Sequence, residues 1–261
     1  ITDDQGTVLG TATVQPNGSF SVEPSPAPAN GDVITATVTD PAGNTSPEAK
    51  VTVDATAPAA PTLKPTDGSP ITGTGEPGAT VTITDDQGTV LGTATVQPNG
   101  SFSVEPSPVP ANGAEITATV TDPAGNTSPE ATVTVDATAP AAPTLNPTDG
   151  SPITGTGEAG AIVTITSPAG TVGSAIVTPE GTFVIEPSPV PADGTVLTAI
   201  ATDPSGNASD PATVTVDAVA PAAPTLNPTD GSPITGTGEP GATVTITSPA
   251  GTVGSAIVTP E

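Results

Sequence analysis

Oxygen is the only ligand or reactive atom this chain can supply in quantity. Its 261 residues carry 27 aspartates and glutamates against two lysines, with no histidine and no cysteine. The missing histidine removes the usual general base, and the missing cysteine removes the thiol nucleophile and any disulfide framework. Both absences together remove the ligands that soft metals prefer. A net charge of −25 leaves nothing to neutralise phosphates, so nucleic-acid binding is excluded. Carboxylates remain, with the hard cations they bind. Calcium takes about six to eight oxygens at roughly 2.3–2.6 Å, which aspartates, asparagine amides and turn carbonyls can provide.

What those carboxylates do depends on where the chain repeats them. VDATAP begins at Val53 and at Val135, and VDAVAP begins at Val216, at spacings of 82 and 81 residues. Such a period is the length of a small domain and exceeds that of solenoid repeats. The frame gives a partial unit over 1–57, complete units over 58–139 and 140–220, and a second partial unit over 221–261. Residue 1 opens inside a strand-like run, so the expectation is a window from a longer chain. No apolar stretch is long enough to cross a bilayer as a helix.

Within 58–139, seven runs alternate apolar and polar residues, the period of half-buried antiparallel strands. They are PTL near Leu63, ITGTG from Ile71, ATVTIT from Ala79, TVLGTATV from Thr89, SFSVEP from Ser101, EITATVTD from Glu115 and ATVTVD from Ala131. Turns rich in Gly, Pro, Asn and Asp separate them. The predicted fold is all-β, with tandem immunoglobulin-like sandwiches of about seven strands arranged as a linear rod. Phe20, Phe102 and Phe183, one per unit, are the largest core candidates. Leu63, Ile71, Val81, Ile83, Ile116, Val120, Val133 and Val135 accompany them.

If successive strands run up and down, the second, fourth and sixth connections share one end of each sandwich. In the third unit these are GEAGA at Glu158, TPEG at Glu180 and TDPSGN at Asp203. The linker aspartate leaving the preceding unit, Asp136, should arrive against them. The same reasoning groups Asp54, Glu76 and Asp122 at the first junction and Asp136, Glu158 and Asp203 at the second. Asp217 and Glu239 belong to the third, and Asp40 to a junction before residue 1. Three clustered carboxylates repel unless a cation lies among them, and calcium is the cation expected. The competing reading is that these are solvated acids, since aspartate suits turns on its own.

Other polar features carry less. The Asp85–Asp86 pair, matching Asp3–Asp4, gives way to Ser167–Pro168 and Ser248–Pro249, so no site needed in every unit lies there. Asp67, Asp149 and Asp230 are accounted for by turn chemistry, with a ligand role as the alternative. Five Asn-x-Ser triplets, Asn17 and Asn126 among them, are formal glycosylation acceptors in turns that favour both residues. Lys50 and Lys64 are too few to make a basic patch.

Taken together, VDATAPAAPTL, ITGTGEPGATVTIT, GSFSV and ITATVTDPAGNTS resemble the bacterial Ig-like repeats of giant biofilm-associated and type I secreted adhesins. The resemblance covers the whole chain. It implies an extracellular place on the bacterial surface or in the biofilm matrix, in a stalk that projects a distal adhesive domain of the same parent chain. It also implies calcium between repeats at Asp54, Asp136 and Asp217 and at Asp40, Asp122 and Asp203. The chain departs from the pattern at VDAVAP and where DDQG becomes SPAG.

Residues 1–54 and 83–136 differ only at Ala27/Val109, Asp32/Ala114, Val33/Glu115 and Lys50/Thr132. Near-identity suits an element valued for length and number. The expected function is a calcium-rigidified extender that supports adhesion and biofilm formation. The alternatives are a module binding a glycan, a host protein or its own copies, and a filament in which half-repeats complete one another head to tail. Glycan sites usually present aromatic platforms, and no Tyr or Trp is present. Glycoside hydrolysis by paired carboxylates needs a cleft with two distinct environments, which turn acids do not make.

Overall fold

A computed structural model describes residues 1–260. All its regular elements are strands. The first segment contributes β1 (Val33–Ala36) and β2 (Ala49–Thr52). The second repeat holds β3 (Thr62–Leu63), β4 (Ile71–Thr74), β5 (Thr80–Asp85), β6 (Val90–Thr95), β7 (Ser101–Val104), β8 (Glu115–Thr121) and β9 (Ala131–Thr134). The third holds β10 (Thr144–Leu145), β11 (Ile153–Thr156), β12 (Ile162–Ser167), β13 (Gly170–Ile176), β14 (Thr182–Ile185), β15 (Val196–Thr202) and β16 (Ala212–Thr215). The last segment has β17 (Thr225–Leu226), β18 (Gly236–Thr237), β19 (Thr243–Ser248) and β20 (Gly251–Ile257).

Each complete repeat is a sandwich of a three-stranded and a four-stranded antiparallel sheet. The order is β3-β4-β7 against β6-β5-β8-β9 in the second repeat, and β10-β11-β14 against β13-β12-β15-β16 in the third. The chain changes sheet after β4, β6 and β7, as in immunoglobulin-like folds. It also divides into two compact units, Ile1–Ala139 with the loop Asp203–Asn207, and Pro140–Thr202 with Ala208 onward.

Alternation decides which side chains enter the core. Along β8, Ile116, Ala118 and Val120 point inward, while the threonines between them stay half-buried on the other face. They pack with Ile71, Val81, Ile83, Phe102, Val104 and Val135. The third repeat buries the equivalent set around Phe183, Ile153, Val163, Ile165 and Leu197. The phenylalanine needs a glycine across the sheet. Gly73 pairs with Phe102, and a Cβ on it would sit 2.6 Å from the ring; Gly155 and Phe183 repeat the arrangement.

Three core candidates differ from expectation. Leu63 and Val133 are only half-buried, because β3 and β9 are edge strands of their sheets. Phe20 is 51% exposed, against 4% for Phe102. Residues 1–57 contain no counterpart of β3 and β4, so no glycine-bearing strand covers that ring. In the last segment, Val244 and Ile246 are half-buried where Val163 and Ile165 are fully buried. They border an open cleft of about 820 Å³.

Candidate functional site

A densely hydrogen-bonded loop follows the sixth strand of the repeat and recurs at Asp40, Asp122 and Asp203. In Asp122–Asn126 the chain reverses through Gly125, whose φ of 97° is a left-handed conformation that favours glycine. The reversal brings Asn126 back onto Asp122. The Asp122 carboxylate accepts hydrogen bonds from Ala124 N at 2.8 Å, Asn126 N at 2.9 Å and Asn126 Nδ2 at 2.8 Å. Asp122 is buried, which alone would penalise its charge. The Asn126 side-chain amide, aided by the backbone N–H groups, nevertheless holds its carboxyl below the usual carboxylate range. Beneath the loop, buried Ser128 Oγ accepts from Val120 N and donates to Pro129 O.

The linker meets this loop through its backbone. Asn126 Nδ2 also donates to Asp54 O at 3.0 Å, so one amide nitrogen ties the linker carbonyl to the Asp122 carboxylate. Within the same compact unit, Asn207 Nδ2 reaches Asp136 O at 2.7 Å and Asp203 at 2.8 Å. On its other side the linker is held by the loop before β1. Asn30 Oδ1 accepts from Ala55 N, and Asn30 Nδ2 donates to Thr56 Oγ1. Asn112 does the same for Ala137 and Thr138. The linker aspartates turn inward on their own chain, with Asp54 Oδ1 accepting from Thr56 N and Asp136 Oδ1 from Thr138 N.

The model of the bacterial Ig domain matches residues 1–55, 57–137 and 139–218, most of the chain in three consecutive copies. This chain belongs to the bacterial Ig domain family. Among solved structures it is similar to a biofilm-associated protein's BSP domain, with 29% identity, 62% of this chain covered and a TM-score of 0.30. The match covers 30% of that structure's length. It is also similar to the chicken CNTN1 FN1–FN3 domains, at 14% identity, coverage of 70% and 74%, and a TM-score of 0.37. The fibronectin(III)-like modules of Clostridium thermocellum CbhA match at 17% identity, coverage of 62% and 91%, and a TM-score of 0.33. No curated protein matches.

The acids singled out in these Ig repeats occupy unlike environments. Asp122 and Asp203 are buried in their loops, whereas Asp40, in the same kind of loop, is exposed. Asn44 grips Asp40 through its backbone N–H and its amide, again holding that carboxyl below the usual range. Asp54, Asp136 and Asp217 are exposed and bonded within their linkers, and Glu76, Glu158 and Glu239 are exposed. Among the described residues, no three His, Cys, Asp or Glu side chains form a group able to hold a metal ion. As placed, the joint does not fit a calcium cage of converging carboxylates. The Asp122 carboxylate is occupied by three N–H donors, and Asn126 turns an N–H toward the linker.

The residues that make the joint are ones the acid-centred reading passed over. Asn126 counted only as a formal glycosylation acceptor, yet it joins loop to linker. Asn30, Asn112 and Asp193 occupy equivalent positions, and so do Thr56, Thr138 and Val219. The change from Asn to Asp therefore accompanies the change from VDATAP to VDAVAP. Asp193 keeps the backbone half of the contact, accepting from Ala218 N at 2.8 Å, and Val219 needs no amide donor.

Proposed function

We propose that this chain is an extender segment of a bacterial cell-surface adhesin, lying outside the cell and supporting adhesion and biofilm cohesion by length and repetition. One observation carries the reading: three consecutive bacterial Ig domains follow one another, and the two linkers between them are held by the same side-chain contacts. No catalytic role enters it.

Calcium stiffening is the alternative to direct linker contacts, and it rests on the resemblance and on the oxygen-rich chemistry of the chain. The contacts at the linker engage the Asp122 carboxylate and the Asp54 carbonyl, fewer oxygens than the six to eight or so that calcium takes. Calorimetry of the chelator-treated chain during calcium titration tests it. A raised melting temperature supports calcium in the repeats, and an unchanged one removes it.

The extender reading itself is tested with arrays of two, four and eight repeats. Small-angle scattering should show maximum dimension growing by roughly 40 Å per repeat, an estimate from strands of about seven residues plus loops. Adhesion of cells displaying the parent protein should fall as repeats are removed. Tight association of purified repeats with each other or with glycans, at every array length, would favour a binding module instead.

A further inference from the structure

We propose that the linkers at Asp54–Thr56 and Asp136–Thr138 are each locked by a two-sided asparagine latch that needs no cation. One asparagine from the repeat before the linker and one from the repeat after it grip adjacent peptide groups. The inference deepens the extender reading, on which it rests for its purpose, but its geometry stands on the contacts alone.

On the upstream side, Asn112 uses both ends of its amide. Its oxygen accepts from Ala137 N at 2.8 Å and its nitrogen donates to Thr138 Oγ1 at 2.9 Å. On the downstream side, Asn207 Nδ2 donates to Asp136 O at 2.7 Å while remaining bonded to Asp203 at 2.8 Å. Asn30 and Asn126 take the same roles around Ala55, Thr56 and Asp54. Three consecutive linker residues are thereby held by side chains from both flanks.

Two further observations support a latch. The loops Asp40–Asn44, Asp122–Asn126 and Asp203–Asn207 all make the same Asn-to-Asp hydrogen bonds within themselves. The downstream half is thus preorganised, and gripping a carbonyl costs little additional ordering. The exchange of Asn112 and Thr138 for Asp193 and Val219 removes both partners of the side-chain contact together and keeps the acceptor for the linker N–H.

The test uses the whole chain, which has no cysteine of its own, with spin labels at exposed Thr93 and Ser174 through T93C and S174C. Inter-label distance distributions are measured in chelator and in millimolar calcium. The latch predicts a narrow distribution in both. Asn207→Ala should raise the undocked population about 2- to 12-fold, the range for one lost hydrogen bond. The double variant Asn112→Asp with Thr138→Val should raise it about 2-fold, and it installs a pair with which the third repeat already folds.

Broadening of the parent chain in chelator, reversed by calcium, would overturn the proposal. So would unchanged distributions in both variants while calorimetry shows the repeats folded. The extender reading fails on a different result, the absence of growth in dimension with repeat number.

Discussion

Phe183→Ala should bring the third repeat close to unfolding, while Val184→Ala beside it in β14 should be nearly silent. Phe183 is 2% exposed and is the largest fully buried side chain, and its ring fills the space left by Gly155. Truncating a buried phenylalanine costs about 3–5 kcal/mol, through lost transfer energy and the cavity left behind. At about 0.05–0.15 kcal/mol per residue, a domain of this length has roughly 4–12 kcal/mol to lose. With about 4–8 °C lost per kcal/mol, the third repeat's transition should fall by at least about 12 °C. Val184 is 57% exposed on the other face of the same strand, so its loss should cost under about 1 kcal/mol. Scanning calorimetry of the parent chain and the two variants measures both. Equal shifts for the two, or a shift below about 4 °C for Phe183→Ala, would refute the claim that one aromatic ring anchors each core.

Gly155→Ala should lower the stability of the third repeat by about 1–3 kcal/mol in urea titration, because its Cβ would press on the Phe183 ring and on Thr144 O. Ser209→Ala should cost about 1–3 kcal/mol in the same assay by leaving the Ala201 N–H without the acceptor it has at 3.0 Å. The Asn126 amide favours the charged form of Asp122, so this carboxyl titrates lower in the folded chain than in the unfolded one. Its contribution is complete above the ordinary carboxylate range and disappears as pH falls through the folded value. Carboxyl-carbon NMR titration should give Asp122 a lower midpoint than the same residue in an unfolded peptide, and Asn126→Ala should bring the two together.

The architecture was legible because period-two patterning and turn residues are local properties. ATVTIT and EITATVTD alternate strictly, and they became β5 and β8 at the centre of the four-stranded sheet. The meeting of linker and sixth connection was legible too, since strand parity alone places Asp54 and the Asp122 loop at one end of the sandwich. What the linker meets there was not. Patterning says nothing of whether a carbonyl or a carboxylate faces the loop, and the acids drew attention by their number. Asn126 serves because it follows Asp122 by four residues across a left-handed glycine, a conformation that composition does not report. Leu63 and Val133 were read as full core because alternation marks a strand's inward face but not its place at the edge of a sheet.

The latch also governs how such an array is inherited. Asn112 and Thr138 lie in the same 82-residue frame, so a gene segment duplicated or lost in that frame carries both partners together. What the segment asks of its neighbour is only a main-chain oxygen, which every amino acid provides. Unequal recombination can therefore lengthen or shorten the array by whole units without leaving any seam unmatched.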